Sequence, residues 1–142
     1  MNAKLVETEA ELTAAAELLL QLRPVYSLES ILVQIKHQQT QGYNLAIVTL
    51  ENKVVCVAGF VVTEKLAWGK HLYVDDLVTD EHTRSKGAGQ AMIDWLKSYC
   101  RQHDCRELHL DSGMQRKDAH RFYHREGLES TGYHFAAPVS SD

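Results

Sequence analysis

The residues best suited to chemistry lie in one run, Val78-Thr79-Asp80-Glu81-His82-Thr83-Arg84-Ser85-Lys86-Gly87-Ala88-Gly89-Gln90. A β-rich segment ends there, a polar loop follows, and glycines open an amphipathic helical pattern. Glycine at such a point lets the backbone approach a ligand with no Cβ in the way. The first N–H groups of a helix lack intrahelical partners, and the helix dipole adds about half a positive charge at that end. Together they suit a phosphate or pyrophosphate. Arg84 and Lys86 add cationic charge beside it. Two familiar phosphate loops do not fit. The Walker pattern needs a Gly-Lys-Ser/Thr ending, and none is present. The dinucleotide fingerprint needs a third small residue where this chain has Met92.

A second feature is the adjacent pair Asp75 and Asp76 in the otherwise apolar run HLYVDDLVT. Strands disfavour aspartate. Successive strand side chains point to opposite faces, so at most one of the pair faces a given cleft, and a bulge would change which. Asp111 ends the next β-rich run, where clefts form in sheets of this type. Cys100, His103, Cys105 and His109 are metal-binding residue types. Zinc sites usually pair their ligands as C-x2-C with a second pair further on. These four straddle a helix end and the next strand, so their side chains should diverge, and no metal is expected.

The elements that must position these groups follow from periodicity. Residues 3–8 alternate weakly and predict a first strand. Residues 9–22 carry a helical face of Leu12, Ala15, Ala16, Leu19 and Leu22. Arg23-Pro24 stops it, because the residue before proline avoids the α region. Ser27 caps a second helix with the face Leu28, Ile31, Leu32 and Ile35, ended by Gly42. Strands are predicted at 43–50, 54–63 and 71–79, with Gly59 marking a bulge or a close approach. A helix follows from about residue 87, then a strand at 106–111, a helix at 116–126 ended by Gly127, and a final strand at 131–136 with Tyr133 and Phe135 on one face. The segment 71–111 reads as a parallel crossover. The earlier strands join through tight turns and should be antiparallel. The expected fold is α/β in the α+β sense, a mixed, mostly antiparallel sheet with helices on both faces.

Composition narrows the classes. The chain has 142 residues, one domain's worth, expected as a single unit over 1–142. With 44% apolar and 24% charged residues it reads as an ordinary globular chain. No run approaches the ~20 uncharged apolar residues of a membrane helix. The acidic N-terminus lacks the basic start of a signal peptide, so a cytoplasmic location and no membrane partner are expected. The formal net charge of −4 lacks the basic surplus that nucleic-acid binding requires. Three cysteines, Cys56, Cys100 and Cys105, do not make a disulfide framework.

Two motifs bear a resemblance. Leu77-Val78-Thr79 followed by Arg84-Ser85-Lys86-Gly87-Ala88-Gly89 resembles the acetyl-coenzyme A motif of the GNAT superfamily N-acetyltransferases. Ala119-His120-Arg121-Phe122-Tyr123-His124-Arg125-Glu126-Gly127-Leu128 resembles that family's A-x-x-F-Y-x-x-x-G-F segment. The element order agrees along nearly the whole chain, and the longer stretches look like those of a small bacterial subgroup. Departures are Arg116, where the family often has asparagine, Leu128 for the terminal aromatic, and Ser85 for a glycine. The resemblance implies a GNAT-like acyltransferase fold with acetyl-CoA as co-substrate. It implies that the pantetheine arm pairs with main-chain groups near Leu77 and Thr79, that the pyrophosphate sits on the backbone from Ser85 to Gln90, and that Tyr123 lies near the thioester sulfur. The family's usual layout would put Tyr26 and Arg23 at the acceptor pocket.

Acetyl transfer to an amine has three chemical needs. The amine must lose a proton, since a lysine-type ammonium has a pKa near ~10.4. Asp76 is the favoured base and Asp75 the second, with a relayed water as competitor. The developing oxyanion needs donors such as strand amides. The leaving thiolate, of pKa near ~8.5, benefits from a proton that the Tyr123 phenol would supply. Asp111 would bind the substrate's cationic group, or cap a loop. No covalent enzyme intermediate is needed, so the cysteines are not expected as nucleophiles. The expected activity is direct transfer in a ternary complex to a small-molecule or peptide amine. The alternative is a coenzyme A-binding module without turnover. A homodimer stays open on base rates alone.

Overall fold

The computed structural model describes residues 1–84 and 86–140. Its elements run β1 (Asn2–Leu5), α1 (Glu9–Leu22), α2 (Leu28–Gln39), β2 (Asn44–Leu50), β3 (Lys53–Lys65), β4 (Gly69–Thr79), α3 (Ala88–Gln102), β5 (Glu107–Leu110) and α4 (Lys117–Arg125). By its internal contacts the chain divides into two units, Met1–Leu110 and Asp111–Asp142.

Local chemistry sets the boundaries. Thr8 Oγ1 accepts from the Glu11 amide at 3.1 Å, and Glu11 Oε1 accepts from the Thr8 amide at 3.1 Å, a capping box that starts α1. Ser27 caps α2 by accepting from the Ser30 amide at 3.1 Å. Glu51 and Asn52, both with positive φ (51° and 64°), make the tight turn that joins β2 to β3. Gly127, at φ 91°, ends α4, and the Leu128 amide donates to Tyr123 O at 2.9 Å.

The sheet of the first unit has the order β1-β2-β3-β4-β5. The first three pairings are antiparallel and β4–β5 is parallel, with α3 making the crossover. Strand alternation splits the core between two faces. On one, Leu12, Ala15, Leu19, Ile31 and Ile35 pack with Leu45, Ile47, Val57 and Val78. On the other, the Phe60 ring meets Trp95 and Tyr99 of α3 edge-on, at 6.2 and 5.2 Å. Each large apolar side chain fully buried in this way contributes roughly 1.5–3 kcal/mol. The expected mixed sheet with helices on both faces is therefore the observed one.

One element differs from expectation. Residues 131–136 form no strand, and residues 128–140 have no regular secondary structure. Tyr133 and Phe135 alternate as predicted but are 78% and 91% exposed. Alternation marks a face that burial would favour, whereas a strand also needs a hydrogen-bonded partner. Among the described residues that segment has none in the sheet.

Candidate active site

Strand β4 is irregular where its two aspartates stand. Gly59 pairs with Asp76 and Phe60 with Val74, so Asp75 is an extra residue, a β-bulge. The bulge resets the alternation. Asp76 shares the face of Val78, toward α1, and Val74 shares that of Phe60. The ladder to β5 ends at Val74↔Leu110, so from Asp75 to Thr79 the β5-facing edge of β4 is unpaired by β5.

Asp76 sits at the centre of a polar knot. Its Oδ1 accepts from Arg23 Nε at 3.0 Å and lies 2.9 Å from Arg23 Nη2. Its Oδ2 accepts from the Tyr43 hydroxyl at 2.7 Å. Arg23 Nη2 also donates to the bulge carbonyl of Asp75 at 3.2 Å. Burial, with the Asp76 charge next, pushes the Tyr43 hydroxyl pKa far above the ordinary phenol value, so it stays a donor. The Tyr43 ring lies over Gly59, where an added Cβ would fall 1.7 Å from the hydroxyl oxygen. The close approach expected at Gly59 and the bulge thus occur together.

Asp75 is exposed. Partial burial of its carboxyl and the neighbouring Asp76 charge raise its pKa, against the lowering effect of Arg23. It holds a proton more readily than an ordinary aspartate. Beside the knot is an open cleft of about 100 Å³, with Ile31 and Ile35 in its lining and Arg23, Tyr26, Gln34 and Asp76 as polar groups.

At the end of β4, Leu77 and Val78 pair with Ala58 and Val57, and Thr79 Oγ1 points to Cys56 Sγ at 3.6 Å. The loop to α3 hangs on Asp80, which is only 3% exposed. Burial alone would raise its pKa, but hydrogen bonds from Gln21 and the His82 amide, with the Lys53 charge, bring it below the ordinary value. Gln21 Nε2 donates to Asp80 Oδ1 at 3.3 Å, and Gln21 Oε1 accepts from the Glu81 amide at 3.3 Å. One side chain of α1 therefore ties the loop at two points. Arg84, Lys86 and Gln90 are exposed, Ala88 is buried and Gly89 half-buried. Ser85 lies outside the described residues. Gly87 precedes α3 at φ 90°, and among the described residues no side chain caps the helix start. A Cβ at Gly87 would meet nothing within 4 Å among the described residues, so glycine is required there by backbone conformation rather than by crowding. The uncapped first-turn amides and the flanking cations fit a pyrophosphate, and the β4 edge fits an extended amide-bearing arm.

In the second unit, Tyr123 is half-buried on α4, its ring 5.5 Å from that of Phe122. Asp111 Oδ2 pairs with His134 Nδ1 at 3.0 Å, and His120 Nε2 lies 2.8 Å from Gly113 O. Of the metal-type residues, His103 stacks on Tyr99 and His109 stacks on Trp68 while pairing with Glu107 at 2.7 Å. Sequence reasoning missed Tyr43, Gln21 and the Asp80 anchor. The glycine inside an apolar strand was the one available signal, because it marks a place where another group comes close.

The chain thus has an open mixed sheet whose fourth strand is bulged, runs on past its pairing with β5 and leads into the start of α3. The model of the acetyltransferase (GNAT) family matches residues 9–128. The chain belongs to that family, and it is an enzyme of the N-acetyltransferase class. The uncharacterized N-acetyltransferase YhdJ of Bacillus subtilis (strain 168) is 29% identical over 141 residues, 98% of this chain and 99% of the relative. The aminoalkylphosphonate N-acetyltransferase of Salmonella typhimurium (strain LT2) is 31% identical over 62 residues, 44% of this chain and 40% of the relative. A solved structure of AAC(6')-Iy in complex with a coenzyme A bisubstrate analog shares the fold, with a TM-score of 0.83 at 13% identity over 99% of both chains.

Proposed function

We propose that this enzyme moves the acetyl group of acetyl-CoA to a primary amine by direct attack in a ternary complex. The observation that supports it most is the continuity of the Asp75–Thr79 edge of β4 with the uncapped start of α3. The pantetheine arm adds to that edge through main-chain groups of Leu77, Val78 and Thr79. The pyrophosphate lies on the amides of Gly87, Ala88, Gly89 and Gln90, with Arg84 and Lys86 screening its charge.

The incoming amine must be neutral when it attacks. Asp76 already accepts from Arg23 and Tyr43, so the more available proton acceptor is Asp75, directly or through water, and Asp76 acts by fixing the bulge. The developing oxyanion accepts from main-chain amides at the bulge. Tyr123 returns a proton to the leaving thiolate, a role that rests on the family resemblance. The cleft beside Tyr26 accepts the amine; a role for Asp111 at a cationic group of the acceptor rests on the sequence alone. The amine is a small molecule or a peptide terminus or side chain.

The test is release of free coenzyme A thiol from acetyl-CoA over a panel of amines, with product masses recorded. An acetylated amine formed at the rate of thiol release supports the reading. Tight coenzyme A binding without release on any amine contradicts it.

A further inference from the structure

The end of α3 places two thiols against each other. His103 caps the helix, Asp104 takes the left-handed conformation at φ 59°, and the Cys105 amide donates back to Cys100 O at 2.9 Å. This six-residue closure is that of a Schellman motif, which a contact between the first and last side chains frequently accompanies. With that bond made, backbone lengths hold the two Cα atoms within about 7 Å. A disulfide needs roughly 4.4–6.8 Å. The thiols do interact: burial and then the Cys105 thiol push the Cys100 thiol pKa up to about 11. Cys100 is 6% exposed, whereas Cys105 is half-exposed. Cys56 is wholly buried, and burial pushes its thiol up to about 11.

We propose that Cys100 and Cys105 form a reversible thiol–disulfide pair, with Cys105 attacking a small-molecule disulfide and Cys100 resolving the adduct. The Cys105 thiolate attacks one sulfur of the small disulfide. The S–S bond breaks, and the departing thiolate takes the proton that Cys105 gave up. Cys100 then loses its proton and attacks Cys105 Sγ. The mixed disulfide breaks, and the second small thiolate is protonated. Two protein thiols are oxidised and one small disulfide is reduced to two thiols, with no other reagent. The two roles follow from access, since the exposed thiol is met first and the buried one lies behind it. The pair stands apart from the acetyl-transfer reading and does not depend on it.

The probe is oxidised glutathione added to the native full chain, followed by quenching in acid, tryptic digestion and mass spectrometry without reduction. Arg101 lies between the cysteines, so cleavage there turns the disulfide into two joined peptides, Ser98–Arg101 and Gln102–Arg106. The joined pair should form, vanish with dithiothreitol, and persist in Cys56→Ser. Cys100→Ser should stop at a glutathione adduct on Cys105, and Cys105→Ser should lose both products. Absence of the joined pair in the wild type, or glutathione found on Cys56 as readily as on Cys105, would overturn the proposal.

Discussion

Tyr43 lies across Gly59, its hydroxyl oxygen 1.7 Å from where a Cβ would stand and 2.7 Å from Asp76 Oδ2. The absence of one methyl group on β3 therefore makes room for the phenol that orients a carboxylate on β4. Gly59→Ala should force the ring out of its seat. We expect a loss of roughly 1–3 kcal/mol in urea unfolding, as for other overpacked sites. The same substitution in a Tyr43→Ala background should cost far less, because the clash partner is gone. Equal costs in both backgrounds would disconnect the two residues.

Arg23 reaches the bulge by three contacts, two to Asp76 Oδ1 and one to the Asp75 carbonyl. Lysine keeps the charge but lacks the fork that serves both groups. Arg23→Lys should lower kcat roughly tenfold, equivalent to ~1.4 kcal/mol. Coenzyme A affinity should stay unchanged, since Arg23 is not part of the loop. A fall in affinity with kcat preserved would move Arg23 out of this role.

Much of this was legible in the residues themselves. Ser27 and Gly127 announce helix ends by local chemistry, and the apolar stripe through Met92 and Leu96 announces α3. Local signals of this kind depend on a few neighbouring residues. The Arg23–Asp76 pair does not, because its members stand far apart in the chain and meet only once α1 docks on the sheet. Asp75 and Asp76 drew notice as acids in an apolar strand, but which faces the cleft depends on a bulge set by the register of β3. Residues 131–136 show the opposite error, a strand pattern with no ladder to join.

Gln21 holds the Asp80–Glu81 segment by two hydrogen bonds. At about 1 kcal/mol net for each, Gln21→Ala should loosen the loop and weaken coenzyme A binding by roughly tenfold or somewhat more. Titration calorimetry measures it. Unaltered affinity in a folded variant would show that the loop is held by other means.

The first capping box predicts a pH dependence. Hydrogen bonds from Lys4 and from the Glu7 amide lower the Glu11 pKa from 4.5 to about 2. A carboxylate whose folded value is depressed stabilises the protein above its unfolded value, and that stabilisation is lost as pH falls through the folded value. Wild type should therefore be more stable than Glu11→Gln near neutral pH. The two urea midpoints should approach each other as pH falls from about 4.5 to about 2. Curves that stay parallel throughout would remove Glu11 from the acid response.

Gly87 tests the account most directly, because its φ of 90° sets the start of α3 without crowding any neighbour. Coenzyme A titrated into the wild-type chain should give a binding heat that weakens with added salt. Gly87→Glu, which puts a carboxylate and a strained backbone where the pyrophosphate is to lie, should abolish that heat while circular dichroism stays native. No heat with the wild type, or the same affinity in Gly87→Glu, would contradict the proposed coenzyme A site.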